Sequence, residues 1–145
     1  MPTRTAYYRT AAGDQPVKDF IQGRNARERV SIRQAIQLLD GLPDNSPPPA
    51  FPVTSQVADH LRDLRCHYGG THFRILYRRS GNIILLLHAL VKGGRLIPAQ
   101  DIAVAQRYWD DFEARMNAQP RVPPRAIGQD ALPRPKRSTS RRDGE

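Results

Sequence analysis

Acidic residues are scarce in this chain: 14 Asp and Glu stand against 23 Lys and Arg, a net charge of +9 over 145 residues. Such a balance favours a polyanionic partner, nucleic acid first among them. An acidic protein or a membrane surface would satisfy the same charge. Cysteine occurs once, at Cys66, so no intrachain disulfide can form, which suits a reducing cytosol. No stretch approaches the roughly 20 apolar residues that a membrane-crossing helix needs. The longest apolar run, Ile83 to Leu87, ends at His88, and Met1 to Tyr8 hold no apolar block of signal-peptide length. A soluble cytoplasmic protein is therefore expected. Also missing are a Cys/His spacing suited to zinc, a Gly-rich phosphate loop and a Ser-His-Asp arrangement.

What is present divides the chain in two. Asn117 to Glu145 contain five prolines and seven Lys or Arg against three acidic residues, with few large apolar side chains. So little apolar surface cannot offset the entropy of ordering, and a disordered basic tail is expected over 117–145. The domain expected over 1–116 keeps 16 basic and 11 acidic residues, a net +5, so the folded part is basic as well.

Within 1–116 the local signals follow one another cleanly. Arg4 to Arg9 read as a first strand. Pro16 suits a first helical position, and Val17, Phe20 and Ile21 form one apolar stripe before Gly23. Asn25, with Glu28 three residues on, makes a capping box for a second helix. Its apolar residues are Val30, Ile32, Ile36, Leu38, Leu39 and Leu42, up to the break at Gly41–Pro43. Asp44 to Pro52 hold four prolines and read as a loop. A strand ending at Tyr68, the Gly69-Gly70 turn, a strand over Thr71 to Arg78 and a strand over Ile83 to Val91 follow. The last of these is apolar on both faces and belongs at the sheet centre. Pro98 to Met116 form an amphipathic helix carrying Ile102, Ala105, Tyr108, Trp109 and Phe112. The expected fold is α+β: strand, helix, helix, three antiparallel strands, helix, in a small antiparallel sheet with the helices packed on it.

This order, together with several motifs, resembles the RelE/ParE toxin superfamily, and most closely its HigB branch, the phage-derived Gp49-like group. The motifs are Gly13-x-x-Pro16-Val17-x-x-Phe20-Ile21, Asp63-Leu64-Arg65, Phe73-Arg74-Ile75-Leu76-Tyr77, Ile84 to Lys92, and Pro98-x-x-Asp101-Ile102-x-x-Ala105. The resemblance implies a ribosome-dependent mRNA endoribonuclease, the toxin of a type II toxin–antitoxin pair. Its partners would be the ribosome, mRNA and a cognate antitoxin, expected to be a helix-turn-helix DNA-binding protein. Proteins of this type use no metal or other cofactor: the RNA 2′-hydroxyl attacks the neighbouring phosphate. The alternatives are a ParE-like gyrase poison and a non-catalytic protein that binds antitoxin or nucleic acid.

Four residues are candidates for the chemistry. Arg74 offers a planar fork suited to a phosphate; the pleat sends it, with Leu76 and Arg78, to the face opposite Phe73, Ile75 and Tyr77. The bland alternative is a surface arginine paired with Asp63. Arg65 could face Arg74 across the hairpin, and two like charges so placed would imply an anion between them. A slip of one residue would make them diverge. Lys92 precedes Gly93-Gly94, where backbone can approach a phosphate. The families it resembles usually carry a second lysine at the position of Gly93, a charge that Arg95 could replace. An unperturbed imidazole has its pKa near neutrality, which makes His88 a candidate base, against the plainer reading of a part-buried histidine in a structural hydrogen bond. Exposed His67, Tyr68 and His72 are further acid or base candidates. His67, Tyr68, Arg95 and Arg78 are expected to contact RNA, and no metal ligands are expected.

Overall fold

Caps, turns and periodicity resolve into nine elements in the computed structural model, which describes residues 1–132. They are β1 (Arg4–Tyr8), α1 (Pro16–Gln22), α2 (Ala26–Gln37), β2 (Thr54–Gln56), β3 (Arg62–Tyr68), β4 (Thr71–Ser80), β5 (Ile83–Val91), α3 (Ala99–Asn117) and β6 (Ile127–Asp130).

The helix signals act as the sequence implies. Pro16 opens α1, which buries Val17 and Ile21. At α2 the capping box is complete: Glu28 N donates to Asn25 Oδ1 at 2.9 Å, and Asn25 N donates to Glu28 Oε1 at 3.3 Å. A hydrogen bond from Arg24 is the main reason the Glu28 pKa falls below its ordinary value. The apolar stripe is narrower than expected. Ile32, Ile36 and Leu39 are fully buried, while Val30 and Leu38 lie half exposed: each is two residues from a buried isoleucine and so turns to the opposite side.

The sheet has six strands in the order β2-β3-β4-β5-β1-β6. β3, β4 and β5 are antiparallel neighbours, and β5 lies inside the sheet. Three features differ from the sequence expectation. β1 runs parallel to β5, with Ala6 opposite Leu85, so the sheet is mostly and not wholly antiparallel. A short strand, β2, emerges from the proline-rich connection and pairs with β3. The tail expected to be disordered from Asn117 returns instead as β6, antiparallel to β1.

The reason for that return is local apolar content that an average over 29 residues conceals. Ala126, Ile127, Ala131 and Leu132 are buried, and Arg4 pairs with Asp130. β6 also covers the outer edge of β1, whose peptide groups would otherwise stand open. Gly128 permits the approach: a Cβ there would lie 2.9 Å from Tyr7 O and would collide with the Gln15 side chain. Residues 133–145, the rest of the expected tail, lie outside the described residues.

Helices cover both faces of the sheet. α1 and α2 pack Val17, Ile21, Ile32 and Ile36 against Leu64, Phe73, Ile75 and Tyr77. α3 packs Ala105, Trp109 and Phe112 against Tyr8, Leu76, Leu85 and Leu87 on the other face. No helix among the described residues is long and apolar enough to cross a membrane.

Candidate active site

The two-residue Gly69-Gly70 turn pairs Tyr68 with Thr71, and counting back from it places Arg65 directly opposite Arg74. Alternation settles the face. Leu64, Cys66, Phe73 and Ile75 enter the α1/α2 core, so Asp63, Arg65 and Arg74 turn to the α3 face. The next strand adds Lys92, two residues beyond Leu90, the partner of Arg74. Arg65 and Arg74 from adjacent strands, and Lys92 just past the end of the third, thus share one face.

Asp63 organises them. Its carboxylate is 1% exposed; Oδ1 accepts from Ser55 N at 3.0 Å and from Ser55 Oγ at 2.5 Å. Oδ2 lies 3.3 Å from Arg74 Nε and 3.8 Å from Arg65 Nε. Those separations give charge attraction but no hydrogen bond, and both Nε atoms lack a hydrogen-bond acceptor among the described residues. Arg74 is 8% exposed and donates from Nη1 to Phe73 O at 3.0 Å. One carboxylate against three cations leaves a local excess of positive charge with guanidinium donors unused. An oxyanion supplies what is missing.

The electrostatics carry the same mark. Burial, followed by the nearby Arg65, lowers the Arg74 pKa against the opposing pull of Asp63. Burial, then Arg74, then Arg65 lower that of Lys92, again opposed by Asp63. Arg74 and Lys92 are each made less comfortable by neighbouring cations, and a bound anion would reverse that.

Space adjoins the cluster on two sides. Asp63, Arg65, Lys92 and Arg95 line a cleft of about 390 Å³ that continues to Ile97 and Ile102. Arg65, His67, His72 and Arg74 line a second, of about 420 Å³, beside the proline-rich connection. The His67 and His72 rings face each other across the hairpin at 5.4 Å. Arg95 therefore brings a fourth cation to the site, after Gly93 and Gly94.

His88 reaches this face by an irregularity. Leu76 pairs with His88 but Tyr77 pairs with Leu86, so Leu87 is an extra residue, a β-bulge. Strict alternation from Ile84 and Leu86 would send His88 into the α1/α2 core; the bulge rotates it toward α3. There His88 Nε2 lies 2.7 Å from Asp101 Oδ1 in the first helical turn, and both side chains are about one-fifth exposed. His88 is thus part-buried and hydrogen-bonded through Nε2.

Two expected RNA contacts stand apart from the cluster. Tyr68 shares the face of Leu64 and Cys66, and its hydroxyl accepts from Arg27 Nη1 of α2 at 3.3 Å. Arg78 lies four residues along β4 from Arg74, its guanidinium 4.2 Å above the Trp109 ring. It lines a different cleft, with Asp59 and Asp110. Trp109 itself is buried.

Sequence reasoning missed Phe51, Ser55 and the role of Asp101. The Phe51 ring lies 4.7 Å from the Arg65 guanidinium and supports it from the proline-rich connection. Nothing in the local sequence marks Phe51, whereas Asp63, two residues before Arg65 on one strand, was readable by parity. Among the described residues no three His, Cys, Asp or Glu side chains gather in a way that could hold a metal ion.

The family model for Phage derived protein Gp49-like (DUF891) matches residues 19–110, well over half of the chain, including every residue of the cationic cluster. No curated protein matches the chain.

Proposed function

The chain belongs to the phage-derived Gp49-like family, a RelE-like toxin family, and on that premise we propose that it is the toxin of a type II toxin–antitoxin pair. In this reading it is a HigB-like, ribosome-dependent endoribonuclease that acts in the cytoplasm on translated mRNA and is restrained by a helix-turn-helix antitoxin. The observation that carries it is the pairing of Arg65 with buried Arg74, the Nε donor of each unused, beside Lys92 and Arg95.

The chemistry needs no metal or small-molecule cofactor. A base removes the proton of a 2′-hydroxyl, and O2′ forms a bond to the adjacent phosphorus. The P–O5′ bond breaks, and the departing O5′ takes up a proton. The products are a 2′,3′-cyclic phosphate and a 5′-hydroxyl. Arg65, Arg74 and Lys92 would hold the scissile phosphate and the charge that builds on it, with Arg95, His67 and Arg78 along the RNA path. Tyr68 would meet RNA only at the α2 side of the hairpin. His88, held by Asp101, and the His67–His72 pair are the groups available for proton transfer. Losing one preorganised donor to such a charge costs about 10²–10³ in rate.

Brief induction of the wild-type protein beside Arg74→Ala, with mapping of new mRNA 5′ ends, tests this. New ends inside translated frames that vanish in the variant support it. Intact mRNA with induced DNA-damage signalling would instead favour a ParE-like gyrase poison, a reading prompted by Gly93 at the second-lysine position.

A further inference from the structure

The face of the sheet opposite the cationic cluster holds a second set of unused donors. Between the proline-rich connection (Ser46, Pro48, Pro49) and the sheet (Arg62, Tyr77, Arg79) lies a cavity of about 110 Å³. Ser46, Arg62 and Tyr77 are among its lining residues, and Ser46 Oγ, Arg62 Nε and Tyr77 OH are each buried with no hydrogen-bond partner among the described residues. Tyr77 is 2% exposed and stands directly opposite Arg62 in the β3–β4 ladder. A buried polar group left unpaired loses its hydration with nothing in return, so three beside one cavity point to something that fills it.

The lining says what. Arg62 and Arg79 bring two positive charges, and no carboxylate is among the lining residues. Arg62 Nη2 donates to Thr54 Oγ1 at 2.8 Å and Arg79 Nε to Gly81 O at 2.8 Å, so both guanidiniums are anchored with charge to spare. The three orphan groups can all donate, and Arg62 Nε can do nothing else. Water would have to place its own hydrogens against largely apolar walls formed by the prolines, Leu39 and Ile84. A ligand that only accepts fits better. The volume would hold three or four waters at about 30 Å³ each, and sites for drug-sized ligands begin near about 300 Å³, so a nucleoside is too large.

We propose that this cavity binds one free tetrahedral oxyanion of the size of inorganic phosphate, held by Ser46, Arg62, Tyr77 and Arg79. The site is separate from the Arg65–Arg74 cleft and independent of any ribonuclease activity. Its occupant would fasten the proline-rich connection to β3 and β4.

The test is titration of the full-length protein with potassium phosphate, followed by calorimetry and thermal unfolding, against potassium chloride at matched ionic strength. Saturable binding that raises Tm is expected, weakened tenfold or more in Tyr77→Phe and in Ser46→Ala but kept in Lys92→Ala. Without phosphate, Tyr77→Phe should be at least as stable as wild type, since its hydroxyl has no partner to lose. Ser46→Ala, on the connection, covers the case in which Tyr77→Phe folds poorly. Adenosine monophosphate should not compete. The proposal falls if phosphate acts no differently from chloride, or if both hydroxyl variants respond as wild type does. It falls equally if Lys92→Ala abolishes binding, or if the nucleotide displaces phosphate.

Discussion

Arg65 and Arg74 face one another across β3 and β4, and the carboxylate of Asp63 lies within 4 Å of both. Like charges in direct cross-strand register oppose sheet formation, so the pair depends on that carboxylate. Replacing Asp63 by Asn should therefore be costly, about 3–5 kcal/mol in urea unfolding, because it strands a buried guanidinium. Arg65→Ala should cost only about 0–1 kcal/mol, since Arg65 is partly exposed. Equal losses in the two variants would refute this division of roles.

Lys92 should set the alkaline limit of RNA cleavage. Burial and the neighbouring Arg74 and Arg65 lower its pKa from the ordinary 10.5, so it loses its proton earlier than a free lysine as pH rises. The rate of cleavage on programmed ribosomes should begin to fall below pH 10.5, and Lys92→Arg should remove that limb. An unchanged limb in Lys92→Arg would assign it to another group.

Cys66 should be inert toward thiol reagents until the protein unfolds. It is buried under α2, and burial pushes its pKa from 9.0 to about 12. The folded state therefore keeps the thiol proton over a range in which the unfolded chain has lost it. Stability from this group is complete below pH 9 and drains away between pH 9 and about 12. Buried Tyr7 and Tyr8, also raised, contribute with the same sign. The Cys66 share is the difference in pH slope between wild type and Cys66→Ala in urea melts; no difference would contradict it.

A chain ending at Met116 should be markedly less stable than one ending at Leu132. The shorter chain loses β6 and with it the buried side chains of Ile127 and Leu132, each worth about 1.5–3 kcal/mol. It also bares the edge of β1, so concentration-dependent association should appear in light scattering. Equal Tm values for the two chains would show that β6 adds nothing to the core.

Most of what could be read from the sequence came from interactions between near neighbours. The Asn25–Glu28 box, Pro16 at the start of α1 and the limits of β5 are decided within a few residues. So is the facing of Arg65 and Arg74, because a two-residue turn sets the register of a hairpin and the pleat sets the face. The remainder depended on contacts between distant parts of the chain. Period-two counting from Leu86 sends His88 to the wrong side, and only the bulge at Leu87 brings it to Asp101, 13 residues away. Tyr68 and Arg78 were legible as strand residues, but Arg27 of α2 and Trp109 of α3 determine what they touch. The place of β1 beside β5, and the closing of its free edge by β6, were hidden for the same reason. An apolar strand shows that it must be covered, and the packed sheet alone decides by what.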